Sequence, residues 1–296
     1  MKEKPFSKYQ ILANAVMIIW TLAIILPFIL LFMSSITDEN TLGANGYSFF
    51  PKKFSLASYS YIIKSGGQIL KAYGVSIGVT VVGTLLNVLL SALMAYPLSV
   101  KNLPGRNVMM FFVFFTMLFN GGIVPSYIMW TGTFHIKDTI FAQLLPNFLL
   151  SAWNVMMIRT YFTTSIPDGL YEAAEIDGAS QFTIFWKIVL PLGKPILVTM
   201  GTFAGLAYWN DWTNGLYYIV KNTGLYNVQN LLNQMVQNIQ FLTQSSNSNV
   251  TAAASTIPAT GIQMAIAFVA ILPIMLIFPS FQKYYAKGIA LGAVKG

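Results

Sequence analysis

The chain has 296 residues, of which 55% are hydrophobic and 9% charged, whereas a soluble domain carries roughly 25% charged residues. The absence of cysteine and the single histidine, His135, exclude disulfides, thiolate catalysis, Cys-ligated metals and any His cluster. The net charge of +8 is spread along the flanks of apolar runs, a pattern that sets membrane topology, and no nucleic-acid-binding motif accompanies it.

Residues 1–10, opening MKEKPFSK, form a predicted cytoplasmic N-terminus. The apolar run Ile11–Met33 that follows is too long for the apolar stretch of a signal peptide and has no small-residue cleavage site after it, so it reads as a retained first span. Further stretches of about 20 apolar residues, enough to cross a ~30 Å hydrocarbon core, predict spans at Tyr73–Val100, Asn107–Trp130, Thr139–Phe162, Ile188–Trp209 and Gly261–Phe281. The reading is an all-α, multi-pass membrane protein with one six-span domain over 11–281 and a short C-terminal tail over 282–296.

Lys and Arg in short flanks set orientation. With the N-terminus inside, the inner side receives Lys2, Lys4, Lys8, Lys101, Arg106, Arg159, Lys187, Lys194, Lys283, Lys287 and Lys295. The outer side receives only Lys52, Lys53, Lys64, Lys71, Lys137 and Lys221. Both termini are therefore expected in the cytoplasm. Two long segments fall outside, at Ser34–Ala72 and at 210–260. The second contains an amphipathic stretch carrying Leu225, Val228, Leu231, Leu232, Met235, Ile239 and Leu242 at helical spacing, followed by a flexible QSSNSNVTAAAST connection. Gly74, Gly78 and Gly83 in the second span and the Gly201/Gly205 pair in the fifth suit close helix packing.

The absences are informative. No phosphate-binding GxxxxGK[ST] loop, HExxH or GxSxG occurs, so no ATP site, metal site or catalytic residue is expected in this chain. The predicted spans carry no Asp, Glu, Lys or Arg at depth, apart from Arg159 and Lys194 toward the inner ends of the fourth and fifth, and Asp211 lies just past the fifth. Ion-coupled carriers need such groups, which weakens the alternative of a secondary carrier of a small polar solute. Transport by this chain would draw energy from another polypeptide.

Between the fourth and fifth spans, residues 165–187 form an inner loop with four carboxylates: Asp168, Glu172, Glu175 and Asp177. Pro167 suits a helix start, with Asp168 and Glu172 toward its positive end. Gly178 suits the left-handed position after a helix, and Ser180 can cap a second helix through QFTIFWKIVL. On a helical wheel Leu170, Ala173, Ala174 and Asp177 share one face, with Glu172 and Glu175 on the other. Such a loop is either a docking surface or an amphipathic re-entry turn.

Glu172-Ala173-Ala174, Asp177-Gly178-Ala179, Phe185, Ile188, Leu190-Pro191 and Pro195 resemble the EAA signature of ABC importer permeases. Phe119-Asn-Gly-Gly-Ile-Val-Pro-Ser-Tyr127 and Tyr208-Trp-Asn-Asp-Trp212 look like the MalG-type branch of carbohydrate permeases for oligosaccharides and polysaccharides. The resemblance implies the type I importer architecture with six spans. It also implies a coupling segment of Glu172, Ala173, Ala174, Glu175, Asp177, Gly178 and Ala179 seated on a cytoplasmic ATPase. The expected partners are a second, homologous permease, two ABC ATPases that hold ATP and Mg, an extracytoplasmic solute-binding protein and membrane lipid. Asn120, Tyr127, Trp130, Trp209, Asn210 and Asp211 fall at outer span ends, where they would line a sugar path or form an interfacial aromatic belt.

Overall fold

The computed structural model describes residues 8–64, 66–244 and 259–293. The predicted N-terminus before Lys8 and the QSSNSNVTAAAST connection lie mostly outside the described residues. Among these residues the architecture is helical: there is no strand, only an isolated antiparallel bridge between Thr37 and Phe54. The chain divides into two compact units, one of residues 1–69 and 232–273, the other of residues 70–231 and 274–296.

The first unit contains α1 (Lys8–Ser35), α2 (Glu39–Asn45) and α3 (Ala57–Lys64). Only Ser34 and Ser35 of α1 are buried, so its apolar side chains face outward, as a lipid-exposed helix requires. The segment after α1 is held by local polar contacts. Asp38 donates its N–H to Lys53 O (3.0 Å) and pairs with Lys53 Nζ (3.2 Å), while Ser35 Oγ and Tyr59 OH hydrogen-bond at 2.8 Å. Glu39 then caps the last helix, α15 (Ala259–Ala293), accepting Thr260 N–H and Gly261 N–H at 2.9 Å each. A carboxylate there meets both the orphan N–H groups and the positive end of the helix dipole. Gly261 is required for the approach, since a Cβ would lie 2.5 Å from Ser58 Oγ.

The second unit is built on α4 (Gly66–Ser99), α5 (Arg106–Leu118), α6 (Ile123–Ile128, continued by a π turn to Thr133), α7 (Phe141–Leu144), α8 (Ala152–Ser165), α9 (Asp168–Ile176), α10 (Gln181–Ile184), α11 (Leu190–Leu192), α12 (Lys194–Asn210), α13 (Thr213–Tyr218) and the start of α14 (Val228–Gln244). Its core joins α4, α8, α10, the π turn Phe185–Val189 that follows it, and α12 through Ala92, Ala95, Tyr96, Ile158, Phe162, Ile184, Phe185, Val189 and Met200. Glycines set the closest crossings. A Cβ on Gly83 would lie 2.4 Å from the Tyr208 ring, and one on Gly193 2.6 Å from Phe162. A Cβ on Gly201 would lie 3.3 Å from Val88 and one on Gly205 3.3 Å from Thr84, so this pair packs helices as its spacing suggests. Gly74 and Gly78 behave differently: open space surrounds both.

Among the described residues, three helices are long and apolar enough to cross a membrane: Lys8–Ser35, Gly67–Ser99 and Thr260–Ile277. Two bent pairs qualify when each is taken together, Arg106–Leu118 with Ile123–Thr133 (110°) and Gln181–Leu192 with Lys194–Asn210 (78°). The predicted continuous spans Asn107–Trp130, Thr139–Phe162 and Ile188–Trp209 are thus corrected to broken ones. The first breaks at Gly122, whose φ of +88° admits only glycine readily. The second breaks at Pro146-Asn147, where Asn147 is left-handed and α8 restarts only at Ala152. The third breaks at Gly193 before Pro195, and its helix begins earlier than Ile188, at Gln181. The last helix runs on to Ala293, past the predicted span end at Phe281.

Candidate functional site

The acidic loop folds as a helix–glycine–helix hairpin. Pro167 stands in extended conformation immediately before α9, and Asp168 occupies its first turn. At the other end Gly178 takes φ +75°. Its N–H donates to Glu175 O (3.0 Å), and Ala179 N–H donates to Ala174 O (2.9 Å). That pair of bonds is the Schellman arrangement, which satisfies the last helical carbonyls and reverses the chain. Ser180 Oγ accepts Thr183 N–H (3.3 Å) and caps α10.

The hairpin is anchored on one side and free on the other. Tyr171 and Ala174, three residues apart, turn into the core, where Tyr171 stacks near Tyr96 (6.5 Å between ring centres) and Tyr96 packs on Phe185 (5.4 Å). Tyr96 OH donates to Gln181 Oε1 (2.6 Å), and Gln181 Nε2 donates to Glu175 Oε1 (2.8 Å). Lys101 Nζ pairs with Asp168 Oδ2 at 2.5 Å; both side chains are exposed, so the pair contributes at most about 1 kcal/mol. Arg159 Nε donates to Leu98 O in the last turn of α4 (3.3 Å). Burial, with Tyr96 and Asp168 nearby, pushes the Tyr171 hydroxyl up to about 12, which keeps it neutral.

This geometry corrects the wheel reading, because Ala174 belongs to the anchored face rather than to the contact face. Outward lie Gly169, Glu172, Ala173 and Ile176, flanked by Leu170, Glu175 and Asp177. Ile176 is 86% exposed, the largest apolar projection of α9. A flat Gly/Ala surface with one isoleucine knob and a ring of carboxylates can dock on a complementary apolar and basic surface. Sequence reasoning missed Ile176; its signal was its place opposite Tyr171 and Ala174 on the helical wheel.

The predicted path residues lie toward the other end of α4 and fall into three settings. Asn120 is exposed, and its Oδ1 accepts Gly122 N–H (2.7 Å) to shape the break after α5. Tyr127 and Trp130 pack into a cluster with Ile136, Ala142, Tyr218 and Ile219. Tyr127 stacks on Tyr218 (5.8 Å, 11°), and Lys137 Nζ donates to its hydroxyl (3.1 Å). Trp209 is buried beside Tyr73 (6.4 Å), Asn210 is exposed, and Asp211 is 5% exposed. Asp211 Oδ1 accepts from Thr213 N–H (3.0 Å), Thr213 Oγ1 (2.7 Å) and Asn214 N–H (3.3 Å). Burial pushes its carboxyl up, against the pull of those donors.

A second carboxylate, Asp138, ties two loops together at this end. Its Oδ1 accepts the N–H groups of Val220 (2.7 Å), Lys221 (2.7 Å) and Asn222 (3.2 Å). Desolvation raises its pKa, but the three backbone donors and Lys137 outweigh it, and the net shift is downward. No group of three or more His, Cys, Asp or Glu is placed to hold a metal among the described residues.

Residues 74–291 match the family described as the inner membrane component of binding-protein-dependent transport systems. The chain belongs to this family. It is a permease of the ABC importer type, a non-catalytic membrane subunit. It is similar to the protein LplC of Bacillus subtilis (strain 168), 36% identical over 272 residues, covering 92% of this chain and 90% of LplC. It is 35% identical over 288 residues to the polygalacturonan/rhamnogalacturonan transport system permease protein YtcP of the same organism, covering 97% of this chain and 98% of YtcP. Among solved structures, a bacterial ABC transporter involved in the import of the acidic polysaccharide alginate superposes with a TM-score of 0.79 at 25% identity, covering 96% of this chain and all of the matched one.

Proposed function

We propose that this permease translocates an oligosaccharide or polysaccharide, and that Glu172, Ala173, Ala174, Glu175, Asp177, Gly178 and Ala179 couple it to a cytoplasmic ATPase. The observation that carries the reading is the α9–Gly178 hairpin, fixed to the core by Tyr171, Ala174 and Gln181 while its opposite face stays open. A hairpin so anchored moves with the helices beneath it, as a lever must. In this reading the chain crosses the cell membrane six times, the segment ending in α8 making the sixth crossing, and both termini lie in the cytoplasm. Two ATPase subunits hold ATP and Mg, a second homologous permease completes the pathway, and a solute-binding protein delivers the sugar from outside.

The substrate class rests on the relatives, whose names include polygalacturonan/rhamnogalacturonan transport and arabinooligosaccharide transport. Asn120, Tyr127, Trp130, Trp209, Asn210 and Asp211 are the proposed path residues. Asn120 and Asn210 are the accessible members, while Asp211 acts through the α13 turn it caps. Affinity purification in mild detergent tests the assembly: an ABC ATPase and a second permease should co-purify, and hydrolysis should rise with sugar-loaded binding protein. A chain that purifies alone and transports with an ion gradient would overturn it.

A further inference from the structure

The second unit carries an open groove of about 460 Å³ along the first turns of α4. Its floor is Val79 (3% exposed) and Leu144 (8% exposed), and Gly74 and Gly78 leave its wall bare, with no atom within 4 Å of either missing Cβ. Farther along the same helix, Gly83 is filled by Tyr208. The two open glycines therefore serve something other than packing within this chain. The lining is almost wholly aliphatic; the nearby Ser76 hydroxyl faces inward and accepts Val228 N–H (2.9 Å). A sugar would find few hydrogen-bonding partners on such a surface.

Lys71 lines the mouth of this groove, together with Gly224. It stands about one turn inside the apolar helix Gly67–Ser99, at the depth where lysines reach back to headgroup level. It has no ion-pair partner among the described residues. Asp138, two residues from the lining Ile140, is turned onto the backbone of Val220, Lys221 and Asn222. Lys137 and Lys221 add exposed positive charge on those same two loops. A docked apolar helix would leave the Lys71 ammonium unpaired in a low dielectric, whereas a lipid phosphate neutralises it.

We propose that this groove holds an anionic phospholipid, with one acyl chain against Gly74, Gly78 and Val79 and its phosphate on Lys71. The site does not depend on which sugar is carried or which side is cytoplasmic.

The full-length chain, exchanged into nanodiscs of equimolar phosphatidylglycerol and phosphatidylcholine and then analysed by native mass spectrometry, tests this. Wild type should retain phosphatidylglycerol about fivefold over phosphatidylcholine, the size of one lysine's contribution at an anionic surface. Lys71→Arg should keep that enrichment and Lys71→Gln should lose it. Gly78→Leu, which fills open space, should lose the retained lipid of either type; Gly74→Leu serves if that variant is unstable. Wild-type retention of phosphatidylglycerol in both Lys71→Gln and Gly78→Leu would overturn the proposal. So would a cysteine at position 78 that cross-links to a second permease, or one protected by a uronic oligosaccharide but not by phosphatidylglycerol.

Discussion

Gly178 is the residue on which the proposed coupling hairpin turns, and its replacement should uncouple transport while sparing membrane insertion. At φ +75° an L side chain costs roughly 1–2 kcal/mol. Nothing lies within 4 Å of the added Cβ, so Gly178→Ala pays only this conformational cost. A shift of that size lowers the hairpin population relative to its rearranged forms by about 5- to 30-fold. Asn adopts the left-handed region more readily and should fall between Gly and Ala. Proline cannot reach this φ and also removes the N–H bonded to Glu175 O at 3.0 Å, a further loss of about 1 kcal/mol. The turn must then be rebuilt. Reconstituted with its partners in proteoliposomes, the series should lose substrate-stimulated ATP hydrolysis in the order Gly, Asn, Ala, Pro, at equal amounts of inserted chain. Normal stimulation in Gly178→Pro would refute the assignment of this turn to coupling.

Other positions give independent checks. Gly83→Val would drive a side chain into the Tyr208 ring, where even a Cβ lies at 2.4 Å, and overpacking of this kind should cost about 1–3 kcal/mol, seen as a lower melting temperature in detergent. Glu39→Ala removes both acceptors at the start of α15 and should destabilise that end by about 1–2 kcal/mol, read as faster amide exchange at Thr260 and Gly261. Asp138 has a folded pKa below its unfolded one, so its contribution is present above about pH 4 and is lost as pH falls through the folded value. The backbone amide resonances of Val220, Lys221 and Asn222 should therefore shift as pH falls through that value in the parent chain, and Asp138→Asn should abolish that titration.

Much of the α9–Gly178 hairpin was legible in the sequence because its determinants are local. Pro167, Gly178 and Ser180 act within a few residues through φ preference and capping, and each stands at the boundary its chemistry suggests. Which face of α9 turns inward was not legible. It depends on Tyr96 of α4, 85 positions before its partner Gln181, and on Gln181 reaching Glu175. The breaks in three predicted spans escaped for a related reason. Hydropathy averages across Gly122, Asn147 and Gly193, and nothing in composition separates a straight apolar helix from two short ones joined at an angle. Gly74, Gly78 and Gly83 are the same residue type on one helix, yet only the fold separates the filled glycine from the open ones.

The most direct measurement uses the absence of cysteine from the chain. A single Ile176→Cys substitution in the assembled transporter, treated with a short bifunctional cross-linker, should join the permease to an ATPase subunit, while a cysteine at the buried Ala174 should not. Equal reaction at both positions, or no ATPase adduct from Ile176→Cys in an assembly that hydrolyses ATP, would contradict docking through this face.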